Sequence, residues 1–165
     1  MPVKLNTMKK LLLFSIAGLL LFLFSCKTGL QEEDAIKVNQ EGIAFMNAGK
    51  YNEALQAFLR AVKSPRLSKE SKGTIYRNIA LTYNELEKKD SAIHFSTLAA
   101  KCYRKNSFDY LLNAAEVDIL AGKTASALDR LLKAVKIDPE DMAVNNSLGL
   151  IYMGDYDATL TDLDK

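Results

Sequence analysis

Residues 49–61 read Gly49-Lys50-Tyr51-Asn52-Glu53-Ala54-Leu55-Gln56-Ala57-Phe58-Leu59-Arg60-Ala61. Two alanines in this stretch, Ala54 and Ala61, stand seven residues apart, and the pair returns as Ala92 and Ala99 and again as Ala127 and Ala134. The steps between copies are 38 and 35 residues. Small residues recurring at nearly fixed spacing mark a repeat architecture.

Outward from this stretch the apolar spacing is helical throughout. Ile36, Val38, Ile43, Ala44 and Phe45 fall near a 3.6-residue period from Ala35 onward, and the helix they predict ends at Gly49. Glycine enters the left-handed conformation of a helix C-terminus without steric penalty. Asn52 is the expected N-cap of a second helix, Glu53 to Lys63, which Pro65 stops. After a loop over Arg66 to Lys72, the second unit is expected to hold helices Thr74 to Glu87 and Ser91 to Tyr103, the latter capped by Asp90. The third places Leu111, Ala114, Ala115 and Ile119 on its first helix, ends it at Gly122, and continues with Ala125 to Ile137. Asp138 and Pro139 suit the cap and first position of a further helix, where Leu148, Gly149 and Tyr152 begin a fourth unit.

These residues carry a family resemblance. The pattern W-x2-L-G-x2-Y…A-x3-F…P describes the tetratricopeptide repeat (TPR), with a period of about 34 residues. Against it stand Val38, Glu41, Gly42, Phe45, Ala54, Phe58 and Pro65 in the first copy, and Tyr76, Ile79, Ala80, Tyr83, Ala92 and Ser96 in the second. The third offers Leu111, Ala114, Ala115, Asp118, Ala127, Leu131 and Pro139; the fourth offers Asn145, Leu148, Gly149 and Tyr152. The resemblance implies an all-α protein, a right-handed α-solenoid of antiparallel helix pairs, with three full units (35–68, 73–106 and 108–141) and a partial fourth (142–165). Small residues at Gly42, Ala80, Ala115 and Gly149 are expected to admit the second helix of each pair, with Phe45, Tyr83 and Phe58 filling the spaces between. The longer first step is expected to lie in the loop near Pro65 to Lys72. Leu148, Leu150 and Ile151 call for cover, and the expectation is a fragment of a longer array.

The first 25 residues read as a targeting segment. Lys4, Lys9 and Lys10 form a positive n-region, and Leu11 to Phe24 is an apolar run broken only by Ser15 and Gly18. Its 14 residues fall short of the roughly 20 that a spanning helix needs. Leu23-Phe24-Ser25-Cys26 resembles the bacterial lipobox. By that resemblance, residues 1–25 are a lipoprotein signal peptide and Cys26 is the lipidated first residue of the mature protein. Residues 26–34 are then a tether, anchored without a transmembrane helix. The absence of an acidic residue directly after Cys26 favours the outer membrane, facing the periplasm.

Composition narrows the function classes. The 22 Lys and Arg and 20 Asp and Glu leave a formal net charge of +2, far from the strongly basic domain of a nucleic-acid binder. The one histidine, His94, is expected to be exposed in mid-helix, and Cys102 to be a small residue near a helix end. Among the common signatures, no phosphate loop, metal-ligand spacing or nucleophile motif is legible, so neither catalysis nor a cofactor is expected. Residues 60–77 carry six basic side chains against Glu70 alone, and Asp138 to Asp164 hold seven acids and no base. Both are expected to be solvated surfaces.

The resemblance places binding on a concave surface lined by the first helix of each pair. Mapped onto this chain it comprises Asn39, Ile43, Met46, Arg77, Leu81, Asn84, Leu112, Glu116, Ile119, Asn146 and Leu150. A lysine-rich clamp for C-terminal carboxylates is not visible, because Asn39 and Asp109 stand where basic residues are wanted. The expected function is a lipid-anchored adaptor in a bacterial cell envelope, binding a protein or peptide on that face. The alternatives are a structural subunit of a secretion or pilus-type assembly, or the N-terminal piece of a longer TPR protein.

Overall fold

A computed structural model describes residues 30–154. Seven helices occupy them, in three pairs followed by a single helix: α1 (Glu32–Asn47), α2 (Tyr51–Ala61), α3 (Lys69–Glu85), α4 (Lys89–Cys102), α5 (Phe108–Leu120), α6 (Thr124–Val135) and α7 (Met142–Tyr152). The main contacts run between neighbours in sequence, with α1 also touching α3. This is an α-solenoid, in which each unit buries its apolar faces on the next.

The recurring alanines explain the packing. Ala54, Ala61, Ala92, Ala99, Ala127 and Ala134 are all 0% exposed. Each second helix presents these small residues to the neighbours on either side, which lets helix axes approach closely. Gly42 shows how tight the approach is. A Cβ built there would lie 2.5 Å from the Phe58 ring, so α1 leaves room for a phenylalanine of α2 that is itself fully buried. Gly73 does the same for Tyr103, whose ring would stand 2.6 Å from an added Cβ.

All three pairs turn in the same way. The amide of Lys50 donates to Phe45 O at 2.9 Å, that of Lys88 to Tyr83 O at 2.8 Å, and that of Lys123 to Asp118 O at 2.7 Å. These are the six-residue hydrogen bonds of a Schellman ending. The residue before each donor is left-handed: Gly49 and Gly122 at φ 71°, but Glu87 at φ 58°. The turn after α7 places Gly154 at φ 84°.

Helix boundaries depart from expectation in ways that have local causes. α1 begins at Glu32, so the expected tether 26–34 gives way to helix three residues before Ala35. Glu32 Oε1 accepts hydrogen bonds from the Ser68 amide at 3.0 Å and the Ser71 hydroxyl at 2.9 Å. These bonds hold its carboxyl below the ordinary pKa and tie the start of α1 to the start of α3. Asn52 and Asp90 do not cap: α2 and α4 start earlier, after Lys50 and Lys88, whose side chains make no capping bond. The chain between Pro65 and Thr74 is not a long loop either. Ser68 Oγ accepts from the Ser71 amide at 3.0 Å, starts α3 at Lys69, and turns the extra residues into helix. Asp138 instead accepts from the Glu140 amide at 3.1 Å. The cap of α7 is Asp141, whose carboxylate accepts from the Val144 amide at 2.8 Å.

Two apolar cores result. One joins Ala35, Val38, Ala54, Phe58, Ala61, Leu67, Ile75 and Ile79; the other joins Leu111, Leu112, Ala115, Leu131, Ala134, Val144, Leu148 and Ile151. Phe45 does not fill space as expected, being 37% exposed. Asp118 takes its place in the third unit, 7% exposed and paired with Arg130 at 2.7 Å. Gly149 is exposed and has nothing within 4 Å of an added Cβ among the described residues. No described helix is long and apolar enough to cross a membrane. The leader, Cys26 and the acidic residues Asp155 to Asp164 lie outside the described residues.

Candidate functional site

The site follows from one substitution in the repeat. Four residues after the first alanine of each recurring pair (Ala54, Ala92 and Ala127) stand Phe58, Ser96 and Leu131. All three are buried, at 0%, 1% and 0% exposure. In the first unit the phenylalanine fills the space over Gly42. In the second, serine faces the helix that carries Ala80, and the small pair leaves a pocket of about 150 Å³. Its lining comes from four helices: Ala80, Leu81 and Asn84 of α3, Ser96 of α4, Glu116, Ile119 and Leu120 of α5, and Ser147 of α7.

An ion pair stands beside this pocket. Arg77 of α3 donates from Nε at 2.9 Å and from Nη2 at 2.7 Å, both to Oε1 of Glu116 on α5. The pair is mostly out of water, with side-chain exposures of 27% and 16%. The second carboxylate oxygen, Oε2, is buried and has no hydrogen-bond partner among the described residues. Burial pushes the Glu116 carboxyl up, and Arg77 pulls it back only in part. A carboxylate in this state lacks a donor, because a buried acceptor left unpaired costs free energy.

The residues expected on the concave face separate into four groups. Leu81, Asn84, Glu116 and Ile119 come together around the pocket, and Arg77 joins them through Glu116. Asn39 and Leu112 do not line an open surface. Asn39 is 8% exposed and accepts from Asn78 Nδ2 at 2.9 Å, which links α1 to α3; Leu112 is 5% exposed in the second core. Ile43 and Met46 are half-buried, packed against the first core. Asn146 is exposed and Leu150 half-buried on α7, outside the pocket lining. Sequence reading did not assign Ala80, Ser96, Leu120 or Ser147 to the site. The available signal was Ser96 in a position that elsewhere holds Phe or Leu.

Other chemistry is sparse. Among the described residues no three His, Cys, Asp or Glu side chains converge as a metal site. His94 is exposed, with its ring edge-on to Phe95 at 5.1 Å. Cys102 is half-buried, and burial pushes its thiol up despite Lys69 and Lys72 nearby. That is the opposite of an activated thiolate.

No family model matches the chain, and no curated protein matches it. Solved structures do. The first TPR domain of Spaghetti (RPAP3), bound to the HSP90 peptide SRMEEVD, is similar with a TM-score of 0.61 at 17% identity, over 76% of this chain and 98% of that one. The second TPR domain of human RPAP3, in complex with an HSP70 peptide, has a TM-score of 0.54 at 19% identity, over 71% and 93%. The C-terminal TPR-containing domain of a Plasmodium falciparum FK506-binding protein has a TM-score of 0.54 at 21% identity, over 79% and 97%. Likeness in shape at this level of identity establishes the architecture that the repeat pattern implied: the chain has the fold of a TPR domain.

Proposed function

We propose that this protein is a lipid-anchored interaction module that holds an extended segment of a partner protein on the face formed by α1, α3, α5 and α7. The observation that carries this reading is the pocket between α3 and α5, where Leu81, Asn84, Glu116 and Ile119 meet. It is concave, part apolar and part polar, which is the usual character of a recognition site. Two of the structurally similar domains hold peptides, from HSP90 and HSP70, which supports a peptide or protein partner here. Nothing in the site calls for catalysis. The lipobox-like Leu23-Phe24-Ser25-Cys26 supports attachment to a bacterial envelope membrane through Cys26, on the periplasmic side of the outer membrane.

The test is photocrosslinking in intact cells from Leu81 and Asn84, against exposed positions Gln56 and Lys101 on second helices. Capture confined to the first pair supports the reading; capture confined to the second pair overturns it in favour of a subunit built into an assembly. For the anchor, the intact mass of the mature protein should include acyl chains that a Cys26→Ser variant lacks.

A further inference from the structure

The shallow surface near Gln31, Glu32, Glu33, Ile36 and Arg66 offers two acids and one base, with Glu32 already committed to Ser68 and Ser71, and nothing that selects a ligand. The Cys102 thiol is unactivated. The pocket beside Arg77 and Glu116 has a shape, a polarity and an unmet hydrogen bond, and it carries further.

We infer that this pocket is a subsite for a lysine side chain of the partner, with the ammonium received by Glu116 and the alkyl stem held between Leu81 and Ile119. The inference rests on the concave-face reading above and names the chemistry of what binds there.

The walls fit the stem. Ala80, Leu81, Ile119 and Leu120 supply apolar surface, against which a lysine lays its four methylenes while its charged end seeks polar partners. The polar part of the lining fits the head. An ammonium has three donors and no acceptor, and the lining offers a carboxylate at Glu116, an amide at Asn84 and a hydroxyl at Ser147. Glu116 is the strongest of these. Among the described residues its buried Oε2 has no partner while both donors from Arg77 go to Oε1, so a second cation that reaches it completes what the ion pair leaves open. Burial raises the pKa of Glu116, and Arg77 offsets this only in part.

Charge argues against the opposite occupant. Along this face the cation next to the pocket is Arg77, and its Nε and Nη2 are committed to Glu116. Asn39 is buried against Asn78, and Asp109 is exposed at the start of α5. An acidic tail such as the SRMEEVD peptide held by a structurally similar domain would meet an unpartnered carboxylate here, and like charges brought together out of water repel.

The test is selection from a library of random decapeptides, with blocked termini, on the immobilised full-length lipoprotein in detergent. The expected result is lysine enriched at least fivefold at one position. The selected peptide should then lose at least tenfold in affinity when that lysine becomes norleucine, or when the protein carries Glu116→Gln or Ser96→Leu. Ser96→Leu fills the pocket while keeping both residues of the ion pair in the sequence, and thermal melts of both variants separate lost binding from lost folding. Peptides that bind with an enriched acid, or with no charged preference, while shifting the amide resonances of Leu81 and Ile119 would overturn the lysine subsite and leave the groove reading standing. Failure to select any peptide that moves those resonances would overturn both.

Discussion

The first and second repeat units share one framework and end in opposite local outcomes. In the first, Gly42 faces Phe58 and the space between the helices is solid. In the second, Ala80 and Ser96 both line a pocket. The hydrogen bonding of the turns and the buried alanines are otherwise alike. Positions that hold a solenoid together are therefore also the ones that can open it. A large residue at the fourth place after the alanine contributes stability, and a small one leaves an open volume at the cost of that stability.

The largest expected effect is at the solid end of the comparison. Phe58→Ala should lower the unfolding free energy by about 3–5 kcal/mol, the range for a fully buried phenylalanine, whereas Ser96→Ala should stay within about 1 kcal/mol. Urea denaturation of the two variants checks the contrast, and equal effects would erase it. Next is the ion pair. Arg77→Ala leaves Glu116 buried beside no cation, which should cost about 2 kcal/mol at pH 8, less than for a fully buried pair because Arg77 is partly exposed. The pH dependence has a definite sign. Burial already raises the folded-state pKa of Glu116 above 4.5 and Arg77 opposes it, so removing Arg77 raises it further. The folded protein then holds this proton more tightly than the unfolded chain does. The cost is absent below the unfolded pKa and grows as pH rises through the window above it. Denaturation at pH 5 should thus show a smaller loss than at pH 8, and a constant loss would mean that Glu116 does not bear the charge.

Gly42→Ala comes third, at about 1–3 kcal/mol, because the new Cβ meets the Phe58 ring at 2.5 Å and overpacking forces a shift. Combined with Phe58→Leu the penalty should fall below the sum of the single effects, which a double-mutant cycle measures. The smallest effect lies at the turns. Glu87 occupies a left-handed conformation that Gly49 and Gly122 take in the sister turns. Glu87→Gly should therefore stabilise by about 0.5 kcal/mol, the relief of left-handed strain exceeding glycine's extra flexibility in the unfolded chain.

How much of this was legible in the sequence depends on whether local or tertiary forces decide it. Alanine spacing and the small residues at Gly42, Ala80 and Ala115 reported the helix pairs, because repeat packing imposes one size constraint at one place per unit. Gly49 and Gly122 marked their turns for the same reason; Glu87 gave no such signal, since its left-handed conformation follows from the turn that the neighbouring helices impose. Caps were less legible. Asn52 and Asp90 have the right chemistry but lie inside helices that start earlier, and Ser68 gained its role from Glu32, 36 residues away. The concave face was only partly readable. The TPR resemblance placed Leu81, Asn84, Glu116 and Ile119 together, yet it could not tell that Asn39 turns into a buried hydrogen bond with Asn78 or that Leu112 belongs to the core. The pocket itself depends on an absence, the large side chain missing at Ser96, and its fourth wall comes from α7, one unit further on.

The central claim is that the volume left by Ser96, beside the Arg77–Glu116 pair, is where a partner is held. The most direct measurement is the photocrosslink yield from Asn84 in the otherwise unchanged full-length protein and in its Ser96→Leu counterpart, with melting temperature recorded for both. The account predicts that the variant folds as well as the parent and loses the crosslink by tenfold or more. An undiminished crosslink in a folded variant would contradict it.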